Sequence, residues 1–582
     1  MKKYTELGAN FNGTSFDITI WAPLHNKLFF HPINGMAKEM KKEGEYFNLE
    51  LENEKSGDLY RLNAGGKLLP DPLSRFQPSG INGPSMLYDL TGYKHSVDKW
   101  KIPFIKELII YEMHIGAFTE MGTYGSAENR LEYLKDLGIT AIEIMPLAQT
   151  YGSRNWGYDG VFPFAPSYSY GKPEELMHFI DKCHSLDIAC LLDVVYNHLG
   201  PVGNVFPQYG PYLSQKYRTP WGETINFDGA FSGGVREMFL ANASYWIEAF
   251  RFDGFRFDST QNIYDLSIRH ILVEINEYLE DLSKKLGRNI LRIAETDRND
   301  ISLLRPEREC GLGFNAMWAD DLHHSFHSYV TGEKTGYYSD YGKFEDISHT
   351  LENGFLYNGK YSEYLKVMKG GKFKGLDSRL LVVSLQNHDQ VGNRAMGERI
   401  SSLTSFQKLK LGASLFILSP FTPMLFMGEE YGEKSPFWFF MQTDDMKFAD
   451  VVNKGRRNEF NDFNWPDKIS DPADTHTFHD SKLKWNHGDI NIQMITLYRD
   501  LIRLRKKYIS AGKTLPYVVK SENMDIHIDY PMTSMKVIHH FSDQRLIIEG
   551  NILLNTSLQK YGGTNNDKTI MEEPGSMVFL TR

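Results

Sequence analysis

Cysteine is nearly absent from this chain. Only Cys183, Cys190 and Cys310 occur among 582 residues. They show no CxxC spacing, and an odd number cannot complete a disulfide framework, so a reducing compartment is expected. Basic runs are missing as well, and the net charge is −10. That excludes the electrostatic footprint of a nucleic-acid binder. The most apolar stretch, Leu411 to Met427, is broken by Ser414, Ser419, Pro420, Thr422 and Pro423. It falls short of the roughly 20 apolar residues that cross a bilayer, so no membrane partner is expected. The opening Met1-Lys2-Lys3-Tyr4-Thr5-Glu6 leads into polar sequence without the apolar segment of a signal peptide, which points to a cytoplasmic protein. There is no internal repeat and no low-complexity segment. No EF-hand or comparable oxygen-rich loop is visible, so the sequence calls for neither a metal nor a cofactor.

What is present is an ordinary globular composition, 41% hydrophobic and 24% charged. A chain of this length buries ample core without cross-links. Two or three domains are expected. Residues 1–95 read as an N-terminal β-sandwich module. Alternating runs such as Phe16-Asp17-Ile18-Thr19-Ile20-Trp21 sit between Gly, Asn and Pro clusters. From about residue 105, apolar β-branched runs alternate with helical patterns. Strands are expected at 108–113, 139–145, 188–195, 252–257, 290–294, 315–318, 380–385 and 423–427. Helices are expected at 126–137, 173–186, 235–249, 261–286, 406–418 and 492–507. Eight such units over 96–511 predict an α/β fold, a (β/α)8 TIM barrel with long loop insertions at about 146–172, 197–234, 319–378 and 428–490. Residues 512–582 return to short β runs and predict a small C-terminal β domain.

In a barrel of this kind the active site lies just past the C-terminal strand ends. Four of those ends deliver ionisable groups: Asp193 to His198, Asp253 to Asp258, Glu295, and Asn387-His388-Asp389. Cleaving a glycosidic bond with retention needs a nucleophilic carboxylate and a protonated carboxyl about 5–5.5 Å apart. Asp258 and Glu295, on adjacent strand ends, suit that geometry. Arg256 lies two residues before Asp258, on the same strand face, and can pair with it. Burial and nearby negative charge would keep Glu295 protonated. His198 and His388 can hydrogen-bond sugar hydroxyls, and Asp389 can grip them as the ring distorts. An Asp at a strand end is commonly only a cap or an ion-pair partner, so the weight lies in the conjunction. The abundant aromatics, 37 Phe, 32 Tyr and 9 Trp, are compatible with sugar stacking, although most such rings fill cores.

These segments resemble the four signature regions of the α-amylase family of glycoside hydrolases, in order: Asp193-Val194-Val195-Tyr196-Asn197-His198, Gly254-Phe255-Arg256-Phe257-Asp258, Glu295 and Asn387-His388-Asp389. The resemblance implies that Asp258 is the nucleophile, Glu295 the acid/base and Asp389 the transition-state stabiliser. Arg256, His198 and His388 would line the −1 sugar, Tyr158 would stack beneath it, and Asp193 would be a structural partner. Further segments, among them Asn155 to Gly160, Asn197 to Asn204, Thr219-Pro220-Trp221-Gly222, Ala319 to His324 and Gly392-Asn393-Arg394, are similar to those of the family's trehalose-releasing hydrolases. This implies cleavage of the α-1,4 bond next to the terminal trehalose of maltooligosyl trehalose. Related α-glucans would be ligands, and activity would be coupled to a maltooligosyl trehalose synthase. Asp320, Asp321 and His323 would bind hydroxyls of the leaving trehalose, Trp221 and either Tyr337 or Tyr338 would form a stacking wall, and Arg394 would join the substrate-binding set. The sequence departs from relatives at Ser259-Thr260, which adds hydroxyls beside the nucleophile. The competing readings are a glycogen branching enzyme, an α-1,6 debranching enzyme, and an inactive glucan-binding protein on the same fold.

Overall fold

The computed structural model describes residues 6–97, 99–463 and 469–581. The opening residues 1–5 and a short part of the 428–490 insertion therefore lie outside the described residues.

Eight parallel strands close into a barrel. They are β1 (Ile110–Met113), β2 (Ala141–Ile144), β3 (Ala189–Val194), β4 (Gly254–Phe257), β5 (Leu291–Ala294), β6 (Ala316–Trp318), β7 (Leu381–Ser384) and β8 (Thr422–Phe426). Each expected strand is present, seven of them shortened by one to three residues and the eighth shifted by one. The principal helices are α1 (Leu131–Leu137), α2 (Pro173–Ser185), α3 (Ser232–Glu248), α4 (Ile271–Leu286), α5 (Asp321–Thr331), α6 (His388–Gly392), α7 (Phe406–Ile417), α8 (Met446–Phe460) and α9 (Asp489–Tyr508). Pro173 opens α2, where a missing N–H costs nothing. The barrel interior is plugged by Leu108, Ile110, Ala141, Ala189, Leu191, Ile293, Ala316, Val382 and Met424. Each fully buried Leu, Ile, Val or Met here contributes about 1.5–3 kcal/mol. Trp318, at the end of β6, belongs to the same cluster.

Three expectations change. The helix expected over 261–286 begins only at Ile271, after a single turn at Thr260–Asn262. Asp265 is the reason. Its carboxylate accepts the N–H groups of Ser267 at 2.8 Å and Ile271 at 2.6 Å and pairs with Arg236 at 2.6 Å. Such local side-chain bonds compete with helical ones. The second change concerns 320–324, expected as loop. Asp321 instead opens α5, whose Leu322, Phe326 and Val330 form a buried stripe at helical spacing. The helix expected at 126–137 is also interrupted at Asn129–Arg130.

Two antiparallel sheets precede the barrel. One orders Gly8–Phe11, Phe16–Trp21, Tyr46–Leu51 and Lys41–Glu43; the other is built around Leu28–Pro32 and Leu59–Ala64. Buried Arg75 ties them to the barrel, stacking on Phe164 at 4.8 Å and Tyr245 at 4.5 Å. After α9 comes a five-stranded antiparallel sheet running from Val518–Glu522 to Gly575–Leu580. Buried Lys410 of α7 reaches this sheet, donating to the Thr556 carbonyl at 2.8 Å. The three cysteines are unpaired. Among the described residues, no helix is long and apolar enough to cross a membrane.

Candidate active site

Strand register assembles the charges. Asp193 on β3 and Arg256 on β4 are direct cross-strand partners, and Arg256 Nη1 donates to Asp193 Oδ2 at 2.7 Å. Gly254 permits the approach of β4 to β5, because a Cβ there would lie 2.2 Å from the Leu291 carbonyl oxygen. The ladder continues past the strand ends. Asp258 N–H donates to Val194 O, and Glu295 N–H to Phe257 O, both at 3.0 Å. Both carboxylates are therefore positioned by backbone as well as by side chain.

Arg256 is fully buried. Its guanidinium stacks on the Trp318 ring at 4.3 Å. Nη1 also donates to Asp258 Oδ1 at 2.8 Å, while Nη2 lies 3.7 Å from Glu295 Oε2. One cation thus touches both carboxylates. Asn197 holds the other Asp258 oxygen, donating to Oδ2 at 2.7 Å. Glu295 is pushed up to about 8. Burial is the main cause; Arg256 opposes it, and Asp258, Asp389 and Asp320 add to it. Burial likewise raises Asp193 to about 6 against the pull of Arg256.

At the Ser259-Thr260 departure the Ser259 hydroxyl accepts from Asn262 Nδ2 at 2.6 Å, and the contacts with Glu295 come from the Ser259 backbone, which most residues would supply, and from the Thr260 hydroxyl. Ser259 N–H donates to Glu295 Oε2 at 2.5 Å, and Thr260 Oγ1 to the Glu295 carbonyl at 2.7 Å. Ser259 reaches this position in the left-handed region, φ 43°, at a cost of roughly 1–2 kcal/mol. With Oε2 occupied as an acceptor, Oε1 is left to carry the proton.

Tyr158 arrives on the loop after β2. Gly157 lets that loop pass within 2.1 Å, measured from an added Cβ, of the Pro146 carbonyl oxygen. The Tyr158 hydroxyl donates to Asp193 Oδ2 at 2.6 Å, and its ring stacks on His388 at 5.2 Å. Burial disfavours the His388 imidazolium, but Asp389 and Glu112 outweigh it and hold the group up at about 9. In that state Nδ1 donates to Glu112 Oε1 at 2.5 Å and Nε2 to the Tyr158 hydroxyl at 2.8 Å. Asp389 lies 3.4 Å from His388 Nε2 and is the most open of the three acids, 45% exposed against 14% for Asp258 and Glu295. Buried His198 is held low by desolvation, so it is neutral. Trp221 stacks on it at 5.4 Å from the tip of a hairpin, half exposed.

The leaving-group side divides. Asp320 faces Asp389 and the cleft. It accepts from Gln390 Nε2 at 3.1 Å, and burial followed by Asp389 raises it to about 7. Asp321 and His323 are buried instead. Asp321 accepts from Asn299, Tyr341 and the Tyr357 N–H, and His323 bonds the Leu385 carbonyl and the Tyr338 hydroxyl. Both anchor α5, so the structure does not present them to substrate. Arg394 is buried too, bidentate to Glu333 at 2.7 Å through both Nη atoms. Tyr338 is buried, whereas Tyr337 stacks on His324 at 5.0 Å.

Sequence reading passed over Glu112, Glu143 and Trp318, and gave no role to Asn197 and Asn393, which lie in segments it quotes. Glu112 and Glu143 are cross-strand partners inside the barrel, and the signal was a carboxylate within an otherwise apolar strand. Burial, then Glu112, drives Glu143 well above the usual carboxylate range. Among the described residues, no cluster of three or more His, Cys, Asp or Glu could hold a metal ion.

Residues 108–220 match the family model for the alpha-amylase catalytic domain. A malto-oligosyltrehalose trehalohydrolase from Saccharolobus solfataricus is 42% identical over 508 residues, covering 87% of this chain and 86% of that protein. A 1,4-alpha-glucan branching enzyme from Geobacillus stearothermophilus is 27% identical over 480 residues, 75% of this chain and 70% of its own. Among solved structures, a Salmonella typhimurium protein assigned as an alpha amylase is 33% identical, with a TM-score of 0.90, over 99% of this chain and 100% of that one.

Proposed function

The chain belongs to the malto-oligosyltrehalose trehalohydrolase family, and from that premise we infer that it hydrolyses the α-1,4-glucosidic bond next to the terminal trehalose of maltooligosyl trehalose. It is a glycoside hydrolase acting on α-glucans, and its products are trehalose and a maltooligosaccharide. The observation that carries the chemistry is the Arg256 guanidinium bridging Asp193, Asp258 and Glu295.

The reaction follows the retaining course. Asp258 attacks the anomeric carbon and forms a glycosyl ester, while the Glu295 proton passes to the bridging oxygen and trehalose leaves. A water then gives its proton to Glu295 and its oxygen to the anomeric carbon, freeing Asp258 and restoring the acid. The raised Glu295 supports this reading, since it holds its proton at neutral pH. Asp389, the most open acid, grips ring hydroxyls as the sugar distorts. Tyr158 lies under the −1 ring, with His198, Arg256 and His388 around it. Asp320 and Trp221 contact the sugars on either side of the cleft. Asp321, His323 and Arg394 hold the walls in place.

A maltooligosyl trehalose synthase would supply this substrate. Work in the cytoplasm fits three unpaired cysteines, two of them buried.

The test is product analysis on maltotriosyltrehalose beside maltopentaose. Trehalose from the first and little cleavage of the second is expected. New branch points in amylose without trehalose release would establish a branching enzyme instead, and preferential cleavage of pullulan a debranching enzyme.

A further inference from the structure

Asp389 depends on few neighbours. Its carboxylate receives one neutral hydrogen bond, from Asn393 Nδ2 at 3.1 Å. Asn393 sits one turn further on, at the C-cap of α6. An amide can point either end at a neighbour, and the wrong end would set a carbonyl oxygen against a carboxylate. Something must choose.

The choice is made from a distant part of the chain. Arg456, on α8 in the last long insertion, donates through Nη1 to Asn393 Oδ1 at 2.7 Å and through Nη2 to the Gly392 carbonyl at 2.7 Å. A guanidinium has donors only, so it draws Oδ1 toward itself and turns Nδ2 toward Asp389. The second bond satisfies a carbonyl left open at the end of α6. Arg456 is itself held in place. Its guanidinium lies 5.2 Å from the Phe439 ring and 4.9 Å from the Phe460 ring, donates through Nη1 to Glu459 Oε2 at 2.9 Å, and is 12% exposed.

We propose that Arg456 is a positioning residue for Asp389, acting through the orientation of the Asn393 amide, so that the α8 insertion completes the catalytic floor. The proposal rests on the role given to Asp389 above. A guanidinium that merely fastened α8 to the barrel would contribute to folding and leave turnover alone.

The experiment measures kcat, KM and Tm on maltotriosyltrehalose for Arg456→Met, Arg456→Lys, Asn393→Ala and the double variant Arg456→Met/Asn393→Ala. Arg456→Met is expected to lower kcat by about 10- to 100-fold, as loss of a supporting hydrogen bond does, with KM within about twofold. Arg456→Lys, which can make one of the two bonds, recovers part of the loss. The double variant falls no further than Asn393→Ala alone, because both act on one carboxylate. In an Asp389→Asn background, assayed with an α-maltosyl fluoride, Arg456→Met has no added effect. Losses that multiply in the double variant, or persist undiminished in that background, overturn the proposal. So does wild-type kcat in Arg456→Met. Should Arg456→Met fail to fold, Asn393→Ala decides: unchanged kcat there overturns the proposal. A wild-type enzyme that releases no trehalose would instead sink the functional reading.

Discussion

At the floor of the cleft, Asp193, Arg256, Asp258 and Glu295 stand on neighbouring strands, and cross-strand register and backbone ladder bonds place them before any side chain is considered. At the rim, Trp221 rests on the tip of a two-stranded hairpin, half exposed, with a histidine ring beneath it. The floor is over-determined and buried, so each charge must be matched. The rim is exposed, so its side chains are free of the matching that burial imposes. This division explains why one barrel chemistry can serve several substrates: the floor breaks the bond, and the insertions decide which bond reaches it.

The largest effect should come from the floor. Asp258→Asn removes the oxygen proposed to attack and is expected to lower kcat on the order of 10⁶-fold, the scale seen when a covalent hydrolase loses its nucleophile. Trehalose release under single-turnover conditions measures it. A comparable loss in a rim variant would break the comparison.

Next comes stability. Arg256→Met leaves Asp193 and Asp258 buried without their cation, and losing one partner of a buried pair costs about 3–5 kcal/mol. Urea unfolding followed by far-UV signal reads this directly. A midpoint like that of the unaltered protein would show that the floor does not depend on its charge network.

The pH profile links floor to rim. Glu295 is raised to about 8. It is therefore protonated at neutral pH and loses its proton as pH rises through that value, so if it is the proposed acid, kcat/KM should fall about tenfold per unit beyond it. The Asp320 charge helps hold that proton. Asp320→Asn should then move the alkaline limb to lower pH, and a limb that stays in place would remove Asp320 from the electrostatics of the site.

The smallest effect belongs to the rim itself. Trp221→Ala removes one exposed stacking surface, worth about 0.5–1.5 kcal/mol. KM for maltotriosyltrehalose should rise about 2- to 10-fold with kcat preserved. A fall in kcat alone would place Trp221 in the floor's machinery.

Legibility followed the same division. The eight strands could be read because buried parallel strands are continuous apolar runs, and the acids could be read because they follow those runs at the strand ends. Reading failed where a residue's role depends on what lies across space. Asp321 and His323 look like hydroxyl binders, yet they face inward, since the stripe Leu322, Phe326 and Val330 sets which side of α5 is buried. Arg394 adjoins Asn393 in the chain, yet Glu333 claims it. Glu112 was passed over inside a strand, yet it fixes the imidazolium of His388 from 276 residues away.

The amino-acid sequence by itself determined the barrel and the order of its chemical groups, because periodicity and strand-end position are local properties of a chain. Only the tertiary structure decided which charges pair, which carboxyl keeps its proton and which side of each insertion meets the cleft. Burial and Coulomb interactions act between neighbours in space, and the chain order of Glu112, Asn393 and Arg456 carries no record of those distances.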